Sequence, residues 1–390
     1  MLPLDDIKVL DLSTRAPGPF CSMALSDLGA DVLLVEAPPG TGSLGRPSKD
    51  ADPVRDAAYN PLRRNKRSII LNLKDRDARE LLYRLARDAD VVMEGFRPGV
   101  VDRLGIGYDT LKDINPRIVY CAISGYGQDG PYSQLPGHDV NYLSFAGVLG
   151  IIGSRDGQPV IPYNLIADFA SGGLLSAMAI LSALWVRQRT GQGQYIDMSL
   201  ADGSLYLMTD VVGSYHATGV VPKPGAMRLN GGSPDYQAYR CKDGKYLSIG
   251  SLEPKFWVNT CTALGREDMV PRRETEPDAV LEELRQIFAT RPRDEWFALL
   301  ADKDVCVGKV NTVDELGSDP QVRARGMMVD VPGPDGRAIP QVGIAAHLRG
   351  TPGRIRWAGP APGAQTREVL EGLGVAADEI ERLRATGAVG

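Results

Sequence analysis

The opening forty residues constrain the fold more than any other stretch of this chain. IKVLDLS is an apolar run rich in β-formers, PFCSMALSDLG carries helical spacing and ends at Gly29, and DVLLVEA reads as a second buried strand. Strand, helix and strand in that order make a β-α-β unit, which packs into a parallel sheet covered by helices. Glu36 ends the second strand, where a dinucleotide-binding protein keeps the acid that grips a ribose. The first turn argues against that use: TRAPGPF offers one glycine where a pyrophosphate needs three. Two formal GxGxxG matches occur elsewhere, GTGSLG at 40–45 behind Pro38 and Pro39, and GYGQDG at 125–130 ahead of Pro131. Both read as loops, because neither opens a helix.

The alternation continues. RSIILNLK and ADVVMEGF read as strands around the amphipathic helix RDARELLYRLARDA, RIVYCAIS as a strand ending in GYGQDGP, and QYIDMSL as a strand after a helix that closes near Arg187 and Arg189. The N-terminal half is therefore α/β and doubly wound. Composition shifts at VVPKPGAMRLNGGSPD, which marks a domain boundary; beyond it YQAYRCKDGKYLSIG is a hairpin about a Lys-Asp-Gly turn, followed by the helices EPDAVLEELRQIFAT and RDEWFALLAD. From about residue 317 the tail is rich in Pro and Gly, and it closes with the charged helix ADEIERLRATG. At 390 residues and 43% hydrophobic, the chain can fill two cores.

A net charge of -5 argues against a nucleic-acid partner and leaves room only for a small phosphorylated ligand. Five cysteines lie far apart with no CxxC pair, so neither a disulfide framework nor a zinc cluster is expected, and a reducing cytoplasm fits. The start lacks a basic segment followed by an apolar one, and the apolar run LLSAMAILSALWV (174–186) is too short to span a bilayer; neither secretion nor membrane insertion is expected. There is no HExxH, GxSxG or Walker loop, and three scattered histidines make no zinc site.

What remains is His138-Asp139 in GHDVNYLSFAG, Asp168 in NLIADFASGG and Glu253 in GSLEPKFW. Singly, each has a structural reading: a loop histidine, an N-cap for a helix beginning near Ser171, and a solvated acid. Arg63, Arg64, Lys66, Arg67 and Lys74 in LRRNKRSIILNLK, and Arg97 in EGFRPGV, likewise read singly as a solvated basic face. Together, GYGQDGP, GHDVNYLSFAG, PYNLIADFASGG, GQGQYIDMSLADGSL and GGSPDYQAYRCKDGKYLSIGSLEPKFW resemble the class III (CaiB/BaiF-type) coenzyme A transferase superfamily, and best its α-methylacyl-CoA racemase branch. The resemblance covers nearly the whole chain and is dense from residue 61 to 257.

That resemblance implies racemisation of 2-methylacyl-CoA thioesters in lipid metabolism. His138 and Asp168 fall on the two residues that face each other across the substrate Cα, and Glu253 on the glutamate that pairs with the histidine. The chemistry fits: a proton α to a thioester needs a positioned base and a stabilised enolate, and inversion needs a second group on the opposite face. Asp168 at a helix start would keep its anion, and free N–H groups there would bind the enolate oxygen. The CoA-contacting positions of the family map onto Arg64, Leu73, Lys74, Gly95 and Arg97, with Tyr142 in the acyl pocket. Ala37 stands where relatives carry Arg or Lys, so one phosphate contact passes elsewhere, Arg15 being an option. Of the methionines that line the family's acyl channel only Met208 and Met227 remain, beside Leu200, Tyr215 and Val220, which implies a narrower acyl choice.

Two alternatives stay open: a CoA-transferase with Asp168 as nucleophile, and a CoA-binding protein without turnover. The resemblance further implies a Rossmann-like large domain (1–190 and 320–390), a linker region (191–224) and a smaller α+β domain (225–319), in two protomers interlocked like links. The active site would lie between the large domain of one protomer and the small domain of the other. No metal is expected, nor any cofactor beyond the CoA of the substrate.

Overall fold

A computed structural model describes residues 1–39 and 52–390; the GTGSLG motif at 40–45 lies outside the described residues. The chain divides into two units, the first made of Met1–Ala146, Tyr163–Leu207 and Pro320–Gly390, the second of Gly147–Pro162 and Met208–Asp319. Relative to the sequence reading, 147–162 joins the smaller unit, and 208–224 belongs to that unit rather than to a separate linker.

Unit 1 is built on six strands, β1 (Lys8–Asp11), β2 (Asp31–Glu36), β3 (Lys66–Ile70), β4 (Val91–Glu94), β5 (Val119–Ser124) and β6 (Tyr195–Ser199). They form one sheet in the order β3-β2-β1-β4-β5-β6, and every pairing is parallel. This is the doubly wound order, and its direction reverses between β1 and β4; side by side there, the loops leaving the two strands open a crevice at their carboxyl ends. The central strands are largely apolar, as strands covered on both faces must be, with Asp11 and Glu94 at the carboxyl ends of β1 and β4: all six residues of β5 are buried. Helix Arg76–Arg87 shows why sequence and structure agree here. Asp75 caps it by accepting from the N–H groups of Asp77 (2.8 Å) and Ala78 (3.2 Å), and its last turn carries Arg84 and Arg87 against the dipole.

The edge strand β3 is covered by the far end of the chain. Gln365 exchanges two hydrogen bonds with Ser68, each 2.9 Å, and Asn72 donates to the carbonyl of Ala388 at 2.9 Å. The tail also holds an antiparallel hairpin that the sequence reading missed, strands Met328–Pro332 and Ala338–Val342 about a Pro-Asp-Gly turn. Its strands alternate and contain prolines, which hid them inside a Pro- and Gly-rich composition.

One expectation is corrected. The apolar run at 174–186 is part of a continuous helix, Leu165–Thr190, of 26 residues with a mean hydropathy of 1.8 over its most apolar window. That is long and apolar enough to cross a bilayer by length and composition. The helix packs on unit 1, where Arg187 near its end pairs with Asp90 at 2.8 Å, and 44% of the window is buried. The sequence reading lost its first three turns because Leu165–Leu175 is wound as a π-helix, with two glycines that blur the period.

Unit 2 carries the expected hairpin, Tyr236–Arg240 with Tyr246–Gly250, extended by Val307–Lys309 into a three-stranded antiparallel sheet. Its α-helices are Thr209–Thr218, Pro254–Ala263, Met269–Thr275, Pro277–Phe288, Arg293–Leu300 and Val313–Leu316. Its core is aromatic: Phe288 stacks on Tyr239 (centroids 4.8 Å) and meets Trp296 edge-on (5.2 Å).

Candidate active site

The β1/β4 crevice of unit 1 is a cavity of about 370 Å³. Ser13 and Arg15 reach it from the loop after β1, Gly95 and Arg97 from the loop after β4, and His138 and Asp168 close it. Two residues thirty positions apart in sequence thus line one pocket.

His138 precedes helix Asp139–Phe145. Its backbone N–H donates to Asn141 Oδ1 (3.0 Å) and its carbonyl accepts from the Asn141 N–H (2.8 Å), which fixes the backbone beneath the exposed imidazole. Tyr142, one turn on, is packed in a slot with glycine on both sides. A Cβ at Gly125 would lie 2.5 Å from the tyrosine ring, and one at Gly137 would lie 2.7 Å from it, so the slot admits no side chain at either position. Burial pushes the Tyr142 phenol up to about 12, with Tyr126 and Asp168 adding to the shift and Arg15 and Arg97 opposing it.

Asp168 is not an N-cap, because the helix begins three residues earlier, at Leu165. Its Oδ2 accepts from Asn164 Nδ2 at 3.0 Å, a partner one turn back. Burial raises its pKa; the Asn164 bond opposes the rise, the charge of Asp139 adds to it, and that of His138 opposes it. Nor is its N–H free for a thioester oxygen, as the sequence reading supposed. The N–H groups of Ala167 and Asp168 both donate to Asp139 Oδ2, at 2.9 Å each. Asp139 is buried, burial raises its pKa against the pull of these two bonds, and its Oδ1 has no hydrogen-bond partner among the described residues. Asp139 therefore ties the His138 helix to the Asp168 helix, a role that adjacency to His138 alone could not reveal.

The remaining sequence-derived positions separate. Gly95, Arg97 and Tyr142 line the cavity. Leu73 is half-buried against the core of unit 1 and Lys74 is exposed on the loop that follows β3; neither lines the cavity. Arg64 is buried, with Nε 3.0 Å and Nη2 2.5 Å from the Asp27 carboxylate and Nη1 on the carbonyl of Val342 (2.5 Å). Its donors are committed within unit 1, so the expected phosphate contact is corrected to a structural pair. The rest of the basic run is similarly engaged: Arg63 pairs with Glu36 at 2.7 Å, Arg67 with Asp31 at 2.7 Å, and Lys66 is buried. Glu36 holds Arg63, as a ribose-gripping acid could not. Leu200 lines the cavity, whereas Met208, Tyr215, Val220 and Met227 belong to unit 2. Glu253, also on unit 2, stands exposed at the start of helix Pro254–Ala263 with no side-chain capping bond.

Beneath the cavity lies a carboxyl that the sequence reading did not single out. Glu94 ends β4 and is buried, with Oε2 accepting from the Phe96 N–H at 2.7 Å. Burial pushes it up to about 7, the Phe96 bond opposes this, and Asp102 and Asp197 add to it. Among the described residues, no group of His, Cys, Asp and Glu could hold a metal ion.

Comparison with known proteins bears on this geometry. The model of CoA-transferase family III matches residues 4–366. An α-methylacyl-CoA racemase of Homo sapiens is 35% identical over 388 residues, covering 98% of this chain and 97% of its own. A succinate–glutarate CoA-transferase of Agrobacterium fabrum is 33% identical, covering 97% of each chain. Among solved structures, a CaiB/BaiF family protein from Brucella suis superposes with a TM-score of 0.81 at 31% identity, covering 95% of this chain and 99% of its own.

Proposed function

This chain belongs to CoA-transferase family III, and from that premise we propose that it racemises 2-methylacyl-CoA thioesters by 1,1-proton transfer through an enolate. The observation that carries the reading is the meeting of His138 and Asp168 in one cavity at the β1/β4 switch point. Neutral His138 takes the Cα proton from one face, the electron pair moves onto the thioester oxygen, and protonated Asp168 returns a proton on the other face. The reverse sequence serves the other enantiomer. Burial, which raises the pKa of Asp168, favours the proton-carrying carboxyl that this step needs. In this reading the positive end of helix Asp139–Phe145, just after His138 on the cavity, helps to offset the developing enolate charge. Glu253 is assigned to the imidazole, as the carboxylate that fixes its tautomer, on the resemblance to the racemase branch.

Arg97 and Gly95 are the CoA contacts this reading retains in the cavity. A second copy of the chain is part of the proposal. Unit 1 exposes an apolar groove of about 1470 Å³, lined among others by Phe20, Leu174, Met178, Leu181 and Trp185, and a face of that size is rarely left to water. Family resemblance makes the partner another protomer, interlocked with the first. Five free cysteines, four of them buried, support a reducing cytoplasmic setting.

The transferase reading keeps two supports: relatives named as transferases are 36% and 33% identical, as similar as the racemases, and the same Asp168 carboxylate lines the cavity. There it attacks the thioester carbonyl to give an acyl-aspartyl anhydride and CoA thiolate; the thiolate attacks the Asp168 carbonyl of that anhydride, releasing the donor acid and leaving an aspartyl-CoA thioester, whose CoA then passes to the acceptor carboxylate as Asp168 is regenerated. One experiment separates the two. The protein is incubated with a 2-methylacyl-CoA in heavy water without an acceptor acid, and deuterium at Cα is followed. Exchange with loss of optical activity supports racemisation; no exchange, with a hydroxylamine-trappable adduct on Asp168, supports transfer.

A further inference from the structure

We infer that Arg15 is the receptor for a carboxylate on the acyl group, so that the preferred substrates are short acyl-CoA thioesters bearing a second, anionic end; this rests on the acyl-CoA reading of the cavity given above. Arg15 lines the cavity with His138 and Asp168, is exposed, and engages no hydrogen bond or ion pair among the described residues. In that it differs from Arg63, Arg64 and Arg67, all of which are paired with carboxylates. Its charge is felt at the Tyr142 hydroxyl, as are those of Asp168 and Arg97, all of which line the same cavity.

The turn that carries Arg15 is held rigid from beneath. The Ser13 N–H donates to Asp11 Oδ1 at 2.9 Å, and the Ser13 and Ser22 hydroxyls both donate to the same buried carboxylate. Lys66, fully buried, closes the network: its Nζ is 3.7 Å from Asp11 Oδ2 and donates to Ser22 Oγ (2.5 Å) and to the Pro19 carbonyl (2.9 Å). Gly18 lets helix Pro17–Asp27 start hard against this turn, since a Cβ there would fall 2.1 Å from Ser13 Oγ. Burying a lysine and an aspartate is costly unless they are paired, and what this pair secures is the loop from Asp11 to Pro17. A guanidinium displayed on a fixed turn is preorganised for a planar carboxylate, which it can take in two parallel hydrogen bonds. The cavity argues the same way. At about 370 Å³ it suits a short acyl group, and the extended apolar groove of unit 1 contains neither His138 nor Asp168.

The test uses two ligands, the CoA monothioester of a short 2-methyl dicarboxylic acid and the same thioester with its free carboxyl methylated, measured by calorimetry so that no turnover is required. The wild-type protein should bind the acid roughly 10- to 100-fold more tightly, the range expected of a charge-assisted contact. Arg15→Leu should collapse that ratio towards one, and Arg15→Lys, which keeps the charge and loses the fork, should give an intermediate value. Equal binding of the two ligands by the wild type would overturn the inference. So would an equal loss for both in Arg15→Leu, which would make Arg15 a contact to the phosphates of CoA. Deuterium exchange at Cα, read on the same thioesters, scores the reaction separately: tight, Arg15-dependent binding of the acid without exchange sinks the racemase reading and leaves the Arg15 assignment standing.

Discussion

Removing the Asp139 carboxylate should disable the site through the backbone of Asp168 rather than through any contact with substrate. Asp139 Oδ2 accepts two backbone N–H groups at 2.9 Å, from Ala167 and from Asp168 itself. Hydrogen bonds to a charged acceptor contribute about 1.5–3 kcal/mol each. Asp139→Ala leaves both donors unmet at a buried position; with water recovering part of the loss, the net cost should be about 3 kcal/mol. In a chain of 390 residues that is roughly 4 °C in Tm. Asp139→Asn keeps a carbonyl oxygen for the two donors and should lose about 1–2 kcal/mol, since neutral bonds are weaker. The two variants should differ in kinetics as well. Asp139→Ala releases the first turns of the Asp168 helix and should lower kcat for Cα exchange by 10²-fold or more, the scale of a small misplacement of a reacting group. Asp139→Asn removes a negative charge that raises the Asp168 pKa, so the acid limb of its pH–rate profile should move to lower pH while substantial activity remains. Thermal unfolding and pH profiles of Cα exchange check both. Full activity with unchanged Tm in Asp139→Ala, or an Asn variant as inactive as the Ala variant, would refute the positioning role.

Three further outcomes are expected. Glu94, held up to about 7 by burial against its usual 4.5, binds a proton in the folded state that the unfolded chain has released, so stability should fall as pH rises through that window; Glu94→Gln should be more stable than wild type at pH 8, on the order of 3 kcal/mol, and the gain should vanish near pH 4, as chemical denaturation at the two pH values would show. Gly137→Ala should displace the Tyr142 ring that a Cβ would meet at 2.7 Å, costing about 1–3 kcal/mol and raising KM for acyl-CoA; an unchanged KM would argue that Tyr142 does not shape the acyl pocket. On the proposal that a second copy covers the apolar groove, the wild type should sediment as a dimer at micromolar protein, and replacing both Met178 and Trp185 by Ser on the exposed face of helix Leu165–Thr190 should give a monomer with loss of activity; a wild-type monomer, or a fully active monomeric variant, would remove the second copy from the mechanism.

Much of the architecture was legible because parallel strands covered on both faces read as apolar runs, and helices with marked faces and caps announce themselves. Asp75 at the head of Arg76–Arg87 and the Lys-Asp-Gly turn of the unit 2 hairpin are such signals. Signals failed where geometry departs from the standard periods. The π-wound start of Leu165–Thr190 shifted the apparent helix start by six residues and turned Asp168 into a cap on paper. Asn164 would have been found as its partner had the helix been read from Leu165, because the two are one turn apart. Charge was misread in the opposite direction. The run around Arg64 looked solvent-facing and ready for phosphate, yet its partners, Asp27, Asp31 and Glu36, lie on the preceding β-α-β unit, and no local pattern announces a pairing across strands. Arg15, a single residue in a turn, stood out in the sequence only as an option for a CoA phosphate; the cavity sets it in the same pocket as His138 and Asp168.

The covering of β3 by distant residues has a consequence for how the molecule is made. Ser68 and Gln365 are 297 residues apart, and between them the ribosome must deliver all of unit 2. At about 5–20 residues per second, the outer rim of the parallel sheet stays uncovered for roughly 15–60 s after β3 has emerged. Its free N–H and C=O groups are then open to any extended segment of a neighbouring nascent chain.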